Sequence, residues 1–362
     1  MDINEILNIQ PYSLEKAEKS LMLDNCIKTL THHHYNNCHE YRRILDAEHI
    51  NINDLPHYSM MPMLPVRLFK EYDLRSCSKD QIVKTMTSSG TTGQQVSRIF
   101  LDRNTSSLQT RCLTKIVSSF IGPQRVPMLI IDSPSVIKNR HMFSARGAGI
   151  LGFSMFGSKR AYALTDNMEL DLKSLKAFID QNKSADTVLL FGFTFMIWQH
   201  FYKKLLESGF RPDLKNAVLI HGGGWKKLIS ERITTQRFKL SLNEVCGIRP
   251  ENIHDYYGMV EQTGTIYMEC EYGHLHTSAF SDIIIRRPLD FSIAAIGEKG
   301  LIEVVSILPK SYPGHILLTE DEGILLGEDN CPCGRKGKYF KIEGRIKNAE
   351  IRGCSDTYAT RF

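Results

Sequence analysis

An α/β fold with a parallel component, passing into a more β-rich C-terminal portion, is what this sequence predicts, on three observations. Short apolar runs at 126–132, 186–191 and 217–221 have the length and flanks of buried strands. Helical patterns at 170–182, 194–208 and 228–245 lie between and after them, and such alternation builds layers of helix on a sheet. Beyond residue 264 the texture changes: segments 265–269, 281–286, 301–307 and 315–319 are strand-like and separated by turns.

Taken in order, residues 13–48 read as helix, with Leu14, Ala17, Leu21 and Leu23 at helical spacing and few breakers. A proline-containing stretch at 55–65 reads as an extended connection, and 104–121 as an amphipathic helix. The division expected from these textures is a helical N-terminal region (1–80), an α/β core (81–264), a β-rich subdomain (265–345) and a C-terminal tail (346–362). There are no internal repeats. The triplet His32-His33-His34 reads as an exposed helix face.

Composition excludes several classes. With 362 residues, 42% hydrophobic and 23% charged, the chain is an ordinary globular sequence. A net charge of +5 with no basic run interleaved with aromatics argues against nucleic acid, and Lys336-Gly337-Lys338 reads as a solvated turn. No stretch of about 18 apolar residues exists, so no membrane span is expected. Met1-Asp2-Ile3-Asn4-Glu5 lacks a signal-peptide core, and a cytoplasmic location is expected. Nine irregularly spaced cysteines then favour free thiols, metal ligation or catalysis over a disulfide framework.

The densest chemical signal is Thr87-Ser88-Ser89-Gly90-Thr91-Thr92-Gly93. Hydroxyls and main-chain N–H groups can converge on one anion there, and the glycines permit unusual backbone angles. It suits phosphate, without being the common P-loop. His221-Gly222-Gly223-Gly224-Trp225 follows a strand, where glycines let a flat group approach the backbone. In Tyr256-Tyr257-Gly258-Met259-Val260-Glu261, Tyr257 can stack on a base and Glu261 can hold Mg²⁺ against phosphate. Asp321, in Thr319-Glu320-Asp321, can accept ribose hydroxyls, and Arg345, after Gly344, can reach phosphate. Taken singly, each of these also suits a solvated turn.

Two cysteine features remain. Cys270, His274 or His276, Cys331 and Cys333 offer three sulfurs and one nitrogen, a tetrahedral structural zinc set with no open position. Cys354, in Arg352-Gly353-Cys354-Ser355-Asp356, has a neighbouring cation that favours the thiolate. Thiolates are good acyl acceptors.

In their order along the chain, these motifs resemble the adenylate-forming superfamily, which includes acyl-CoA ligases and luciferases. The resemblance implies that Ser88 to Gly93 bind ATP phosphates, that Gly222 to Gly224 and Tyr257 hold adenine, and that Glu261 binds Mg²⁺. It implies that Asp321 holds ribose and that Arg345 contacts ribose or phosphate. The Cys-Pro-Cys-Gly-Arg element at 331–335 and Cys270 look like phenylacetate-CoA ligase relatives, some of which carry zinc there. Two departures are informative. Gln94 and Gln95 follow the phosphate loop where many members have lysine, Arg98 being the nearest cation. Only 17 residues follow Arg345, so the small C-terminal lid is expected to be missing. The acyl-protein synthetases of the LuxE type share this length, the Ser-Ser-Gly-Thr-Thr-Gly loop, a similar glycine stretch and a similar C-terminal cysteine. Residues 62–70 and 97–101 also look like that subgroup.

That resemblance implies the large N-terminal domain of adenylate-forming enzymes, with layered mixed and parallel sheets. It implies ATP- and Mg²⁺-dependent activation of a carboxylic acid, a fatty acid, followed by acyl transfer to Cys354. The acyl group would pass on to a partner protein such as a fatty-acid reductase. Phe191-Gly192-Phe193 and residues 147–156 would line the acyl chain, though core packing explains them equally well. Two alternatives stand beside this: a lidless acyl-CoA or acyl-carrier ligase, and a nucleotide-binding regulatory protein without catalysis.

Overall fold

Residues Val188–Phe193 are apolar at all six positions and buried at all six, so the strand they form needs cover on both faces. The surrounding chain supplies it. The computed structural model describes residues 2–88, 95–138, 145–225 and 232–346. Its strands are β1 (Leu64–Pro65), β2 (Ile82–Thr87), β3 (Arg98–Asp102), β4 (Val126–Ile131), β5 (Gly157–Tyr162), β6 (Val188–Phe193) and β7 (Ala217–Gly222), followed by β8 (Ile253–Tyr257), β9 (Tyr267–Glu269), β10 (Leu275–His276), β11 (Ser281–Arg286), β12 (Lys299–Ser306), β13 (Ile316–Glu328) and β14 (Lys338–Arg345). The helices are α1 (Ile3–Ile6), α2 (Lys16–Asn37), α3 (His39–Ala47), α4 (Leu68–Glu71), α5 (Arg103–Ile121), α6 (Ser135–Lys138), α7 (Ala145–Phe153), α8 (Leu172–Gln181), α9 (Thr194–Met196), α10 (Lys203–Ser208) and α11 (Thr235–Cys246).

One twelve-stranded sheet runs in the order β11-β12-β13-β14-β10-β9-β8-β7-β6-β4-β5, with β1 added to β13. The pairs from β5 to β8 are parallel. Those from β8 through β11 are antiparallel. The sheet therefore continues through residue 264, where the texture of the sequence changes. Alternation sorts the parallel strands between two layers. Met128, Ile130, Leu189, Phe191 and Ile220 face α2, α5 and α7. Leu129, Ile131, Leu190 and Leu219 face α8 and α11. Helix starts are capped by side chains: Asp102 accepts from Thr105 N–H at 2.7 Å, Asp171 from Ser174 N–H at 2.9 Å, and Thr234 from Arg237 N–H at 3.1 Å.

Several expectations need adjusting. The helix expected over 13–48 is two helices, because the backbone turns extended at Cys38 (φ −126°, ψ 107°), which is buried. No glycine or proline marks that break. The region 194–208 is helical, but its middle, Ile197–Tyr202, is π-helical. The strand expected at 315–319 is the first part of a 13-residue strand, Ile316–Glu328. The histidine triplet is not an exposed face: His34 is fully buried, with Nδ1 2.7 Å from Ser76 Oγ and Nε2 3.0 Å from the Pro309 carbonyl. Arg98 is ion-paired with Asp73 at 2.7 Å.

Candidate active site

The hydroxyl-rich motif begins at the end of a two-stranded hairpin. β2 and β3 pair antiparallel up to Thr87 opposite Arg98. Ser88 closes the pair: its N–H donates to the Ser97 carbonyl at 3.2 Å, and its Oγ accepts from Ser97 N–H at 2.9 Å. Ser89, Gly90, Thr91, Thr92 and Gly93 lie outside the described residues, as does Cys354.

Tyr257, Asp321 and Arg345 meet. β13 and β14 bring Asp321 opposite Arg345, whose Nε donates to Asp321 Oδ1 at 3.0 Å. The Tyr257 hydroxyl, from the end of β8, donates to Asp321 Oδ2 at 2.7 Å. Burial, reinforced by the adjacent carboxylate, raises the Tyr257 phenol well above its ordinary range, so it stays a donor. Thr319 Oγ1 accepts from Asp321 N–H at 3.1 Å and steadies the backbone beneath the carboxylate.

Glu261 sits in a short turn, Val260–Gln262, and is 4% exposed. Its carbonyl accepts from the Tyr312 hydroxyl at 3.0 Å, and that hydroxyl accepts from Gln109 Nε2 at 3.2 Å. Gln262 Nε2 donates to the carbonyls of Gly314 at 2.8 Å and Val304 at 3.1 Å. Gly264 completes the clamp. Its φ is +98°, and a Cβ there would lie 2.7 Å from the Gln109 Cα. Thr263 touches Met86 Sδ at 3.8 Å, so this turn abuts the hairpin that carries Thr87.

At the end of β7, Gly222 lies directly against Tyr256: a Cβ would fall 2.7 Å from that ring. Gly223 and Gly224 follow with φ +80° and +60°. Tyr256 continues an aromatic wall through Phe153 (5.2 Å between centroids), which stacks on Phe191 at 4.2 Å. His221 turns to the opposite layer, against Phe238 at 4.8 Å. Gly258 lies against Ile266 at the start of the Glu261 turn.

A second cluster lies on the same sheet. Cys270 follows β9 and His276 ends β10, and the β13–β14 turn presents Cys331 and Cys333. One donor atom from each falls within 4.8 Å of the others. Cys270 Sγ is 4.0 Å from Cys331 Sγ, and Cys333 Sγ is 3.4 Å from His276 Nε2. Tetrahedral zinc with metal–sulfur bonds of about 2.3 Å and metal–nitrogen bonds of about 2.0 Å has edges of about 3.8 Å and 3.5 Å, so the set fits. His274 adopts a different place: its Nδ1 is 3.3 Å from Cys331 Sγ. Tyr339 stacks on both rings, at 5.0 Å from His274 and 5.7 Å from His276.

Tyr312, Gln109 and Thr194 are residues of this region that motif reading passes over. Tyr312 acts on the Glu261 carbonyl and Gln109 on the Tyr312 hydroxyl rather than on a ligand, and no spacing rule marks them. Thr194 follows an apolar strand and resembles an ordinary helix start.

The family model described as acyl-protein synthetase, LuxE, matches residues 2–362. A long-chain-fatty-acid–luciferin-component ligase of Vibrio harveyi is 22% identical over 367 aligned positions, covering 98% of this chain and 91% of the relative. The ligase of that name from Aliivibrio fischeri is 24% identical, covering 97% and 91%. Among solved structures, an open conformation of 2-hydroxyisobutyryl-CoA ligase has a TM-score of 0.68 at 14% identity, covering 94% of this chain and 78% of that one. The structural likeness shows the adenylate-forming fold.

Proposed function

The chain belongs to the acyl-protein synthetase LuxE family, and on that premise we propose that Tyr257, Glu261, Asp321 and Arg345 run its ATP-dependent ligase chemistry on a long-chain fatty acid, with Cys354 as first acyl acceptor. The observation that carries this reading is the Tyr257–Asp321–Arg345 contact. An aromatic ring, a carboxylate and a guanidinium from three strands are held as one unit. They complement the flat base, the ribose hydroxyls and the phosphates of a nucleotide. Asp321 has about four lone-pair directions, of which Tyr257 and Arg345 use two, leaving acceptors for ribose.

In the first half-reaction the fatty carboxylate attacks the α-phosphorus of ATP, and the bond to pyrophosphate breaks. Negative charge grows on the phosphate oxygens. The hydroxyls and N–H groups of Thr87 to Gly93, with Arg345, stabilise it where it develops. Glu261, a buried hard-oxygen donor whose backbone is pinned by Tyr312, would hold Mg²⁺, which supplies Lewis-acid neutralisation of those oxygens when bound. In the second half-reaction the Cys354 thiolate attacks the acyl carbonyl, the carbon–sulfur bond forms and AMP leaves. The thioester then passes to a thiol of an acyl-accepting partner protein, a fatty-acid reductase. The wall of Phe153, Phe191 and Phe193 would border the acyl chain. Cys270, His276, Cys331 and Cys333 would hold a structural zinc that ties the two turns together.

Intact-protein mass after incubation with ATP, Mg²⁺ and a panel of fatty acids tests the reading. The expected result is a hydroxylamine-labile acyl adduct that maps to Cys354. It should disappear in Cys354→Ala while pyrophosphate release persists. An undiminished adduct on Cys354→Ala overturns the acceptor assignment. Acyl transfer by that variant directly to a soluble thiol would make the protein a ligase acting on soluble thiols instead.

A further inference from the structure

We propose that Thr194 and His221 are positioning residues for the ATP-dependent step, forming a two-bond relay that holds the Gly222 carbonyl and so sets the start of the Gly222-Gly223-Gly224 turn. The proposal rests on the proposed nucleotide site and on the expectation, from the family resemblance, that Gly222 to Gly224 border its adenine.

Thr194 begins α9 directly after β6, and His221 and Gly222 end the neighbouring strand β7. Thr194 is 4% exposed and His221 2%. Thr194 Oγ1 is 3.1 Å from the Gly222 carbonyl oxygen and 3.0 Å from His221 Nδ1. A hydroxyl has one proton. The carbonyl can only accept, so the threonine proton goes to Gly222, and Oγ1 must accept from His221 Nδ1–H. All three groups are satisfied in that single arrangement, which fixes the histidine as the neutral Nδ1–H tautomer. Its Nε2 then carries only a lone pair, and it has no hydrogen-bond partner among the described residues. Burial is the main reason the ring stays neutral, its pKa falling to about 3.

The arrangement is not a hydrolytic triad. Asp255 Oδ1 approaches the same nitrogen, Nδ1, at 3.7 Å, too far for a hydrogen bond, so no relay passes from one side of the ring to the other. The chain of bonds ends instead on a main-chain carbonyl. Gly222 is held from both sides: Thr194 grips its oxygen, and the Tyr256 ring fills the space of its missing Cβ. Two residues with left-handed backbone follow, so a rotated Gly222 peptide would redirect the whole turn.

Four substitutions separate positioning from bulk stability. Thr194→Val keeps the shape and removes both bonds; Thr194→Ser keeps the hydroxyl. His221→Asn places an amide nitrogen where Nδ1 was, whereas His221→Gln places it near Nε2 and leaves Thr194 without its donor. The readout is kcat/KM for ATP in ATP–pyrophosphate exchange with a fatty acid, alongside the unfolding midpoint of each variant. Thr194→Val and His221→Gln should lose about tenfold, the scale of one net hydrogen bond, while Thr194→Ser and His221→Asn stay within about threefold of wild type. Equal behaviour of His221→Asn and His221→Gln overturns the relay, as does activity that merely follows the unfolding midpoint. If Thr194→Val fails to fold, the His221 pair still decides. Asp321→Ala is the control on the underlying reading. If it leaves KM for ATP unchanged, the nucleotide assignment itself falls; if it raises KM while the relay variants do not respond, only the relay falls.

Discussion

Gly264→Ala should uncouple the Glu261 turn from helix α5, and the size of the effect follows from the geometry. The new methyl would lie 2.7 Å from Gln109 Cα and 2.8 Å from the Gln109 carbonyl oxygen, both backbone atoms that cannot rotate away. Ordinary contact at about 3.5 Å would require the two backbones to move apart by about 0.8 Å. That displacement would stretch the Gln109–Tyr312 hydrogen bond beyond its present 3.2 Å and loosen the Tyr312 hydroxyl from the Glu261 carbonyl. A left-handed backbone at alanine costs about 1–2 kcal/mol, overpacking about 1–3, and one lost hydrogen bond about 1. A total of about 4 kcal/mol is expected from these terms. At about 2.1 cal/mol/K per residue, a chain of 362 residues loses about 5 °C from its unfolding midpoint. Gly297→Ala is the matched control, since Gly297 also has a positive φ, +86°, but nothing within 4 Å of its Cβ position. It should shift the midpoint by about 1–3 °C and leave pyrophosphate exchange intact, whereas Gly264→Ala should also lose exchange activity. Equal shifts in calorimetry for the two variants would refute the argument that close approach to α5 fixes this turn.

Three further predictions rest on other contacts. A double-mutant cycle on Tyr257→Phe and Asp321→Asn, read by thermal unfolding, should give a coupling of about 1–2 kcal/mol from their 2.7 Å hydrogen bond; additive effects would mean the two side chains do not hold each other. Elemental analysis should find one zinc per chain, lost in Cys331→Ala together with a fall in the unfolding midpoint, while a metal-free wild type of undiminished stability would remove the zinc assignment. His315 is fully buried and neutral, burial holding its pKa at about 3. Its folded pKa lies below its unfolded one, so the unfolded chain binds the extra proton, and this group's share of stability is complete above about pH 6.5 and lost as pH falls toward 3. His315→Gln should therefore reduce the slope of stability against pH between 6 and 4 by about 1.4 kcal/mol per unit; an unchanged slope in denaturant titrations would refute it.

The fold was legible where periodicity is strong and obscure where polar residues interrupt it. The apolar runs read at 126–132, 186–191 and 217–221 correspond to the parallel strands Val126–Ile131, Val188–Phe193 and Ala217–Gly222, because burial on both faces leaves little room for polar residues. β14 was harder to read: Lys341, Glu343 and Arg345 alternate on its exposed side, and a glycine interrupts it. β13 runs past its expected end because Gly323 and Gly327 sit at irregularities in its pairing with β14. The break at Cys38 carries no glycine or proline; packing of Cys38 with Tyr41 and Leu45 selects it over a continuous helix. β10 is only Leu275–His276, and His274 lies just before it, so the two histidines are too close in sequence for spacing to choose between them. Reach decides: His276 joins the four-donor set, and the His274 ring nitrogen lies beside Cys331 outside that set.

A physical distinction separates the site residues that the sequence displays from those it conceals. Groups that meet a ligand must converge on one chemical target, so their types are constrained together, and that constraint survives as a motif: hydroxyls with glycines, tyrosine before a glutamate, aspartate at a strand end. Groups that act on another protein group answer only to a partner far away in sequence. Tyr312 holds a carbonyl 51 positions away and Thr194 one 28 positions away. Many side chains with one donor could serve in either place, so composition and spacing carry no trace of the choice. What marks these residues is the cost of burying them unpaired, about 1–3 kcal/mol for each polar group left without a partner. That cost exists only once the surrounding layers are assembled. It follows that the residues setting the precision of this site, as opposed to its chemistry, are found by accounting for buried hydrogen bonds one by one, and that substitutions there should alter how well ATP is used before they alter what is made.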